Sequence, residues 1–245
     1  MSDSIRIKSD TKMKNKPFNW PVVGFLLFMT GIPGIPAIFM LALVALGPGM
    51  DESISSLVNA LHFETPAAIF VHGTAGILFF LTMPFQFSPA LRAKKRKLHK
   101  KGGYIALLSG YVMGLSGIWM HHVLSPDLFG MRYVSLVIVS ISMCIAFSLA
   151  LWHIINRNVD VHRKWMFRAV AITLAVITPL FVEVIMFLLF GQLENIFTVI
   201  NQLQHDYGRL VGMAINLAIV EYIFFKETVK KKAQYPLSMM VENND

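Results

Sequence analysis

Six stretches of the sequence are long and apolar enough to cross a lipid bilayer, and no other feature limits the fold as strongly. A helix needs roughly 20 consecutive, mostly apolar residues to cross about 30 Å of hydrocarbon. The stretches cover residues 20–46, 66–91, 103–124, 131–155, 166–190 and 207–225. The whole chain is 55% hydrophobic and only 15% charged, a composition typical of membrane proteins. The sequence therefore predicts an all-α, polytopic membrane helix bundle with six transmembrane helices, which we number as the first to sixth spans.

The lysines and arginines fall almost entirely on one side of this predicted bundle. Twenty of the 22 lie in the N-terminal arm, in the second-to-third and fourth-to-fifth connections and in the tail, which leaves Arg132 and Arg209 for the other side. Short cytoplasmic segments carry the excess of positive charge, so we expect both termini in the cytoplasm of a bacterial cell, with the protein in its inner membrane. The predicted parts are a basic arm (1–18), a membrane domain (19–225, with a four-helix core at about 66–190) and a cytoplasmic tail (226–245).

The net charge of +8 is explained by this sidedness. We expect the basic segments to contact anionic lipid headgroups at the cytoplasmic face, and we expect no binding to nucleic acid, because the cations follow no recognisable nucleic-acid-binding motif. Cys144 is the only cysteine, so an intrachain disulfide or a CxxC metal site is excluded.

A histidine followed by two cations occurs twice at the cytoplasmic start of a predicted helix. The segment His99-Lys100-Lys101-Gly102-Gly103-Tyr104 aligns with His162-Arg163-Lys164-Trp165-Met166-Phe167. The pattern favours two related helical hairpins, the second and third spans and then the fourth and fifth. Two roles are open for His99 and His162: holding a cofactor or binding phosphate headgroups.

The third span carries a stripe of small residues with a histidine at each end. Its members are spaced three or four apart, so they share one helix face. This glycine stripe consists of His99, Gly103, Ala106, Gly110, Gly114, Gly117 and His121. Two interpretations are open: the stripe lets another helix approach closely, or it admits the flat face of a macrocycle whose iron lies near the histidines.

Polar side chains inside hydrocarbon are costly and are candidates for function. Near the outer boundary, His72, His121 and Glu183 are expected to lie at similar depth, with His122 beside His121; the sequence does not decide which of these two would be a ligand. Near the inner boundary, His153 is placed to meet His99 and His162. His62 and His205 fall in outer loops, where we expect them to be solvated, and Glu221, near the inner end of the sixth span, is expected to pair with lysines of the tail.

The second to fifth spans resemble a bacterial family of predicted membrane proteins of unknown function. The resemblance rests on His72 before a run of small residues and on three further motifs: Pro84-Phe85-Gln86-Phe87, His99-Lys100-Lys101-Gly102-Gly103-Tyr104 and His162-Arg163-Lys164-Trp165-Met166-Phe167-Arg168. Lys100 replaces the arginine that usually follows the first loop histidine, and the glycine lies one position early. A more distant architectural likeness links the chain to membrane-bound b-type cytochromes.

These observations favour haem-b binding and transmembrane electron transfer, with His72, His121, His99, His153 and His162 as cofactor ligands and a quinone or another redox protein as partner. No helix carries the pair of histidines separated by 13 or 14 residues that is typical of such cytochromes. Two alternatives remain open. One is a membrane metalloenzyme that binds its metal through His72, His121 and Glu183. The other is a transporter or assembly factor without a cofactor.

Overall fold

The computed structural model describes residues 18–49, 57–127 and 129–242, with the side chains of residues 194–196 and 231–242 excepted. Every regular element in these ranges is helical. The basic arm predicted over residues 1–18 lies outside the described residues except for Phe18, as does the end of the predicted tail. The chain divides into two compact units, Met1–Phe129 and Gly130–Asp245, which separate the two predicted hairpins.

Among its described residues, the first unit has three long helices and two short ones. Helix α1 packs on α3, and α3 packs on α5. A 3₁₀ turn, Pro84–Phe87, follows α3. The helices are α1 (Trp20–Leu46), α2 (Leu61–Glu64), α3 (Pro66–Thr82), α4 (Pro89–Lys94) and α5 (Arg96–Leu124).

In the part of the second unit that the structure describes, there are four helices, two of which pair across a bend. Helix α6 packs on α7, and α9 contacts α6, α7 and α8. A 3₁₀ turn, Leu174–Val176, separates α7 from α8. The helices are α6 (Met131–Ile155), α7 (Val159–Thr173), α8 (Thr178–Phe190) and α9 (Glu194–Glu242).

The prediction of a helical membrane protein with six spans is confirmed. Within the described ranges, five helices are long and apolar enough to cross a membrane, and the pair formed by Val159–Val176 and Thr178–Phe190 makes a sixth if it counts as one span. The first and fourth predicted spans match α1 and α6 at both ends.

Three predicted boundaries were wrong. The second span ends at Thr82 instead of residue 91, since Pro84 and Pro89 each lack the N–H that a continuous helix needs. The third helix begins at Arg96, so its first turns carry the basic cluster. The sixth helix begins at Glu194, well before residue 207, because polar residues such as Gln202 and Gln204 are compatible with a helix even where they interrupt the apolar run.

The fifth span is not one helix, contrary to the prediction for residues 166–190. Helix α7 ends at Thr173, Leu174–Val176 form a 3₁₀ turn, and the two halves are bent by 50°. The cause is Pro179, which cannot donate to the carbonyl of Ala175 four residues earlier and disfavours a helical conformation at Thr178. We call residues 174–177 the break.

Candidate functional site

His72 lies on α3 and makes a side-chain hydrogen bond to α5. Its Nδ1 is 3.1 Å from Ser116 Oγ, and Ser116 Oγ donates in turn to the carbonyl of Met113 at 3.4 Å. Since the hydroxyl proton is directed to Met113, His72 Nδ1–H is the donor to Ser116. Nε2 of His72 makes no hydrogen bond within the described part of the chain, so this nitrogen retains its lone pair.

The glycine stripe is a packing face. Ala106, Gly110, Gly114 and Gly117 are buried, whereas the stripe's three other members, His99, Gly103 and His121, are half-buried. Helix α3 approaches α5 beside the stripe, because a Cβ at Gly76 would lie 3.9 Å from Met113 Sδ. The structure therefore favours close helix packing as the role of these small residues. The rings of His121 and His122 meet edge to face at 6.1 Å.

His62 is buried, although the sequence predicted a solvated loop residue. The short helix α2 begins just before it, and only 6% of His62 is exposed. Its Nδ1 has no hydrogen-bond partner among the described residues. Burial lowers the pKa of His62 below 6.5, because the charged imidazolium loses solvation. Sequence pattern gives no signal for this burial, since a four-residue helix has no detectable periodicity.

The Pro84-Phe85-Gln86-Phe87 motif forms the 3₁₀ turn, and its glutamine fills the space left by two glycines. A Cβ at Gly102 would lie 2.7 Å from Gln86 Nε2, and one at Gly103 would lie 3.3 Å from Gln86 Oε1. Gln86 Nε2 donates to the carbonyl of Thr82 at 3.3 Å. The 3₁₀ turn thus packs on the start of α5, because Gly102 and Gly103 leave room for the planar amide of Gln86.

His153 and His162 flank the corner between α6 and α7. His153 lies in the last turn of α6 and packs edge to face on Trp152, with ring centroids 4.6 Å apart. His162 lies in the first turn of α7, and its Nδ1 donates to the carbonyl of Ala150 at 2.7 Å. That bond places a proton on Nδ1, so in the neutral imidazole the lone pair is on Nε2. His162 is thereby held against the stretch of α6 that carries His153.

The cationic start of α7 is paired with α9. Arg168 forms a bidentate ion pair with Glu221 at 2.6 and 3.0 Å, and Arg163 pairs with Glu227. The Arg168 guanidinium also lies 4.8 Å from the Trp165 ring centroid. The sequence suggested that Glu221 pairs with tail lysines, but its partner is Arg168, because α7 packs on α9.

The break is covered by a stripe of α9 that the sequence analysis missed. Asn216 Nδ2 donates to the carbonyl of Ala171 at 3.0 Å, and its Oδ1 accepts from Thr178 Oγ1 at 3.0 Å. Gln204 Nε2 donates to the carbonyl of Pro179 at 2.5 Å. The amide-glycine stripe consists of Gln204, Gly208, Gly212 and Asn216, each four residues after the one before. That spacing was the available signal, since residues four apart share a helix face.

Gly212 marks the closest approach of α9 to the break. A Cβ there would lie 2.8 Å from the carbonyl oxygen of Ala175, which is the acceptor that Pro179 cannot serve. A Cβ at Gly208 would lie 3.3 Å from Pro179. Beside the break, the carbonyls of Ala171 and Pro179 thus accept bonds from amide side chains of α9, and the Ala175 carbonyl is approached closely by Gly212.

The predicted metal set is distributed over both units. His72 and His121 belong to the first, whereas Glu183 lies on α8 of the second, where its side chain is exposed. Within the described ranges, no three His, Cys, Asp or Glu side chains are grouped as a metal ion would require. Of the inner histidines, His153 and His162 share a corner of the second unit, and His99 belongs to the first. Their roles as ligands stay predictions.

An open groove of about 470 Å³ lies between α3 and α5. It is apolar apart from the hydroxyls of Thr74 and Ser109, and Ser109 donates to the carbonyl of Ile105 on its own helix at 2.7 Å. No histidine lines this groove. It therefore does not bring a cofactor-sized space to any of the predicted ligands.

The comparisons with known proteins agree with a helical membrane protein. No match was found among curated proteins or among solved structures. The model of one family, described as "Predicted membrane protein (DUF2306)", matches residues 69–223 and so covers α3 to most of α9. This range includes His72, both histidine motifs, the break and the amide-glycine stripe, and the chain belongs to that family of membrane proteins.

Proposed function

We propose that the protein binds haem b through His153 and His162, which we call the corner histidines, and transfers electrons within the membrane. The observation that carries this proposal is the hydrogen bond from His162 Nδ1 to the carbonyl of Ala150 at 2.7 Å. Histidines that bind metals usually donate their second N–H to a carbonyl or carboxylate, which fixes the ring and raises the basicity of the ligating nitrogen. His72 has the same arrangement with Ser116 as its acceptor.

Haem suits this chain better than a bare metal ion does. A structural or catalytic zinc site needs three or four protein ligands, and the described residues contain no such group. Haem supplies four equatorial nitrogens itself and needs only one or two axial side chains. His162 is the first candidate, with His153 nearby and His72 as the ligand of a second site; His99 and His121 are the remaining candidates.

His162, with His153 nearby, would hold the haem, and the bound haem would supply one-electron exchange between the ferric and ferrous states of its iron. The electron donor would be a quinol dissolved in the membrane, which would give two electrons in two such exchanges and release two protons as it becomes a quinone. A second redox protein would accept each electron.

Absorption spectroscopy on protein purified after expression with added haem tests this proposal. We expect a Soret band and an α band that sharpens on reduction with dithionite. His162→Ala should lose or shift these bands, because iron loses an axial imidazole. His162→Gln is the matched control for folding, since its amide retains a donor for the Ala150 carbonyl but is a poor iron ligand. A well-folded protein without these bands would refute the proposal.

Membrane transport is the second candidate, and the break is the observation that favours it. Discontinuous membrane helices occur in transporters, where their ends meet substrates or coupling ions. Here the break has Thr178 and Asn216 as polar side chains among apolar spans. A transporter would move the α7 and α8 halves against each other and release Asn216 from Ala171.

Flux measurements distinguish this second candidate. Proteoliposomes carrying a pH-sensitive dye should show proton or cation flux that Asn216→Ala changes at least several-fold, while Asn201→Ala, an exposed site on the same helix, leaves it unchanged. Equal flux in protein-free vesicles and in the proteoliposomes would exclude ion transport by this chain.

We further propose a cytoplasmic location for the basic end of each unit, in a bacterial inner membrane. This follows from the distribution of lysine and arginine. The aromatic partners of the cations support contact with headgroups, since Lys226 Nζ lies 4.7 Å from the Tyr222 ring centroid and aromatic residues are enriched at this depth. Reporter fusions after Lys97 and Arg157 should report cytoplasm, and one after Gly49 should report the opposite side.

A further inference from the structure

Arg209 contacts the main chain of Arg132 in the structure. Of the lysines and arginines in the sequence, these are the two that the charge distribution leaves on the side away from the basic loops. Arg132 lies in the first turn of α6, and Arg209 lies on α9. Arg209 Nη1 donates to the backbone carbonyl of Arg132 at 3.2 Å. Ser135 Oγ donates to the carbonyl of Asp206 at 2.8 Å, which ties the same two helices together at this level. We call Arg132 and Arg209 the arginine pair.

His205 fixes the direction of the Arg132 side chain. Arg132 Nη1 is 2.7 Å from His205 Nε2, and because guanidinium has no acceptor, His205 Nε2 accepts this bond and carries no proton. The proton of His205 is on Nδ1, 3.1 Å from Asp206 Oδ1. His205 is therefore a neutral positioning residue for Arg132.

The nearby carboxylate does not neutralise the arginine pair. Asp206 accepts from His205 through Oδ1 and from Gln202 Nε2 through Oδ2 at 3.3 Å. The ion pairs among the described residues join Arg163 to Glu227 and Arg168 to Glu221, and the neutral His205 contributes only a hydrogen bond to Asp206. Within that part of the chain, neither member of the arginine pair forms an ion pair with a carboxylate, in contrast to Arg163 and Arg168.

Arg209 reaches the main chain of Arg132, so two arginines lie near each other at the end of apolar helices, where like charges repel more strongly than in bulk water. Each guanidinium has five N–H donors, and in the described structure one donor of each is used by the contacts above. Arg209 is half-buried, so its side chain is only partly exposed to solvent. An anion with several oxygens would compensate the charge and accept the unused donors, and guanidinium matches phosphate in bidentate geometry.

We propose that the arginine pair binds a phosphate group, with His205 as the residue that positions Arg132. A phospholipid headgroup and free inorganic phosphate present the same oxygens, so both are sources of this ligand. On the predicted topology, the site faces away from the cytoplasm. It is separate from the corner histidines and does not depend on haem binding.

The test measures thermal unfolding of the full chain in uncharged maltoside micelles, in chloride of matched ionic strength. Inorganic phosphate and a short-chain phosphatidylglycerol are added separately, since a ligand at free concentration L that binds only the folded state stabilises it by RT ln(1 + L/Kd), so the rise in melting temperature with ligand concentration gives Kd. We expect the melting temperature to rise with the logarithm of ligand concentration above Kd, with at least tenfold weaker binding in Arg132→Gln and in Arg209→Gln. Arg157→Asn, which removes one charge from the opposite end of α6, is the matched control and should bind as the parent does.

Each outcome decides the proposal. A rise with phosphatidylglycerol alone identifies a headgroup site, and a rise with inorganic phosphate identifies a site for the soluble anion. If neither probe raises the melting temperature, or if both Gln variants bind as the parent does, the proposal is overturned. If the Gln variants do not fold, Arg132→Lys and Arg209→Lys replace them, because lysine retains the charge but lacks the bidentate donors of guanidinium. Both Lys variants should still bind several-fold more weakly than the parent. Unchanged affinity in both would also overturn the proposal.

Discussion

The two units bring their helices together through glycine, but the glycines meet different kinds of atoms. In the first unit, a Cβ at Gly73 would lie 3.0 Å from the side chain of Leu41, and one at Gly34 would lie 3.1 Å from the Phe80 ring. In the second unit, a Cβ at Gly212 would lie 2.8 Å from the backbone oxygen of Ala175. Side chains can change rotamer to admit a methyl group, whereas a carbonyl at a helix break is fixed by the bonds around it.

The polar contacts between helices also involve side chains in the first unit and main-chain carbonyls in the second. The first unit joins α3 to α5 through His72 and Ser116, two side chains that approach each other. The second unit joins α9 to the break through bonds from amide side chains to main-chain carbonyls. The lesson is that the continuous pair of spans is joined by complementary side chains, while the broken span also has amide donors placed opposite main-chain carbonyls beside the break. The second unit should therefore be the more sensitive to substitution.

The largest effect is expected for Gly212→Ala. The added methyl group would lie within 3.0 Å of Ala175 O, so α9 or the break must move, and overpacking of this kind costs typically about 1–3 kcal/mol. The midpoint of an SDS titration measures the loss of stability. Gly24→Ala is the control, because nothing lies within 4 Å of a Cβ at that position. Equal midpoints for the two variants would mean that α9 does not approach the break this closely.

The next effect is expected for Asn216→Ala, which removes both the donor to Ala171 and the acceptor for Thr178. A buried carbonyl left without a partner costs about 1–3 kcal/mol, and Thr178 Oγ1 can still donate to the carbonyl of Leu174 at 3.2 Å, which limits the loss. Hydrogen exchange at the amides of residues 172–178 should increase along with the fall in the SDS midpoint. Asn201→Ala removes an exposed amide from the same helix and should leave both measurements unchanged.

A smaller effect is expected for Gly73→Ala in the first unit. The new methyl group meets the flexible end of Leu41, so we expect a loss near the lower end of the overpacking range, about 1 kcal/mol. The SDS midpoint of this variant should fall between those of Gly24→Ala and Gly212→Ala. A larger loss for Gly73→Ala than for Gly212→Ala would reverse the comparison between the units.

The difference between the units also explains what the sequence could predict. Hydropathy located all six spans, since the cost of burying polar residues in lipid acts on composition along the chain. It could not locate the break, because residues 169–182 around it are apolar apart from two threonines, and only Pro179 indicates an interruption. The amide-glycine stripe was missed for a related reason: Gln204 precedes the apolar run that defined the sixth span, so its spacing from Asn216 was not considered.

The candidate site was less predictable than the fold. The spacing of the glycine stripe identified a packed face correctly, because periodicity reports which side of a helix is buried. Partners between helices depend on rotation and depth, which a sequence does not specify. Glu221 pairs with Arg168 instead of a tail lysine, and Arg209 meets Arg132 although 77 positions separate them.

The smallest effect on stability is expected when the pH of the solution is lowered, and it depends on His62 in the first unit. The pKa of buried His62 is lowered, so the unfolded chain takes up a proton at this residue near pH 6.5, before the folded chain does. The stabilisation that comes from keeping His62 neutral is thus present above pH 6.5 and is lost progressively as the pH falls from 6.5 towards the lower pKa of the folded state. The SDS midpoint of the parent should decrease from pH 7.5 to pH 5.5.

In His62→Leu the decrease should be smaller, because Leu fills the site without titrating and the other seven histidines contribute equally to both proteins. Because His62 lies on α2 of the first unit, Asn216→Ala in the second should lower the midpoint by the same amount at both pH values. An identical pH dependence in the parent and His62→Leu would show that the imidazole of His62 is as well solvated in the folded protein as in the unfolded chain.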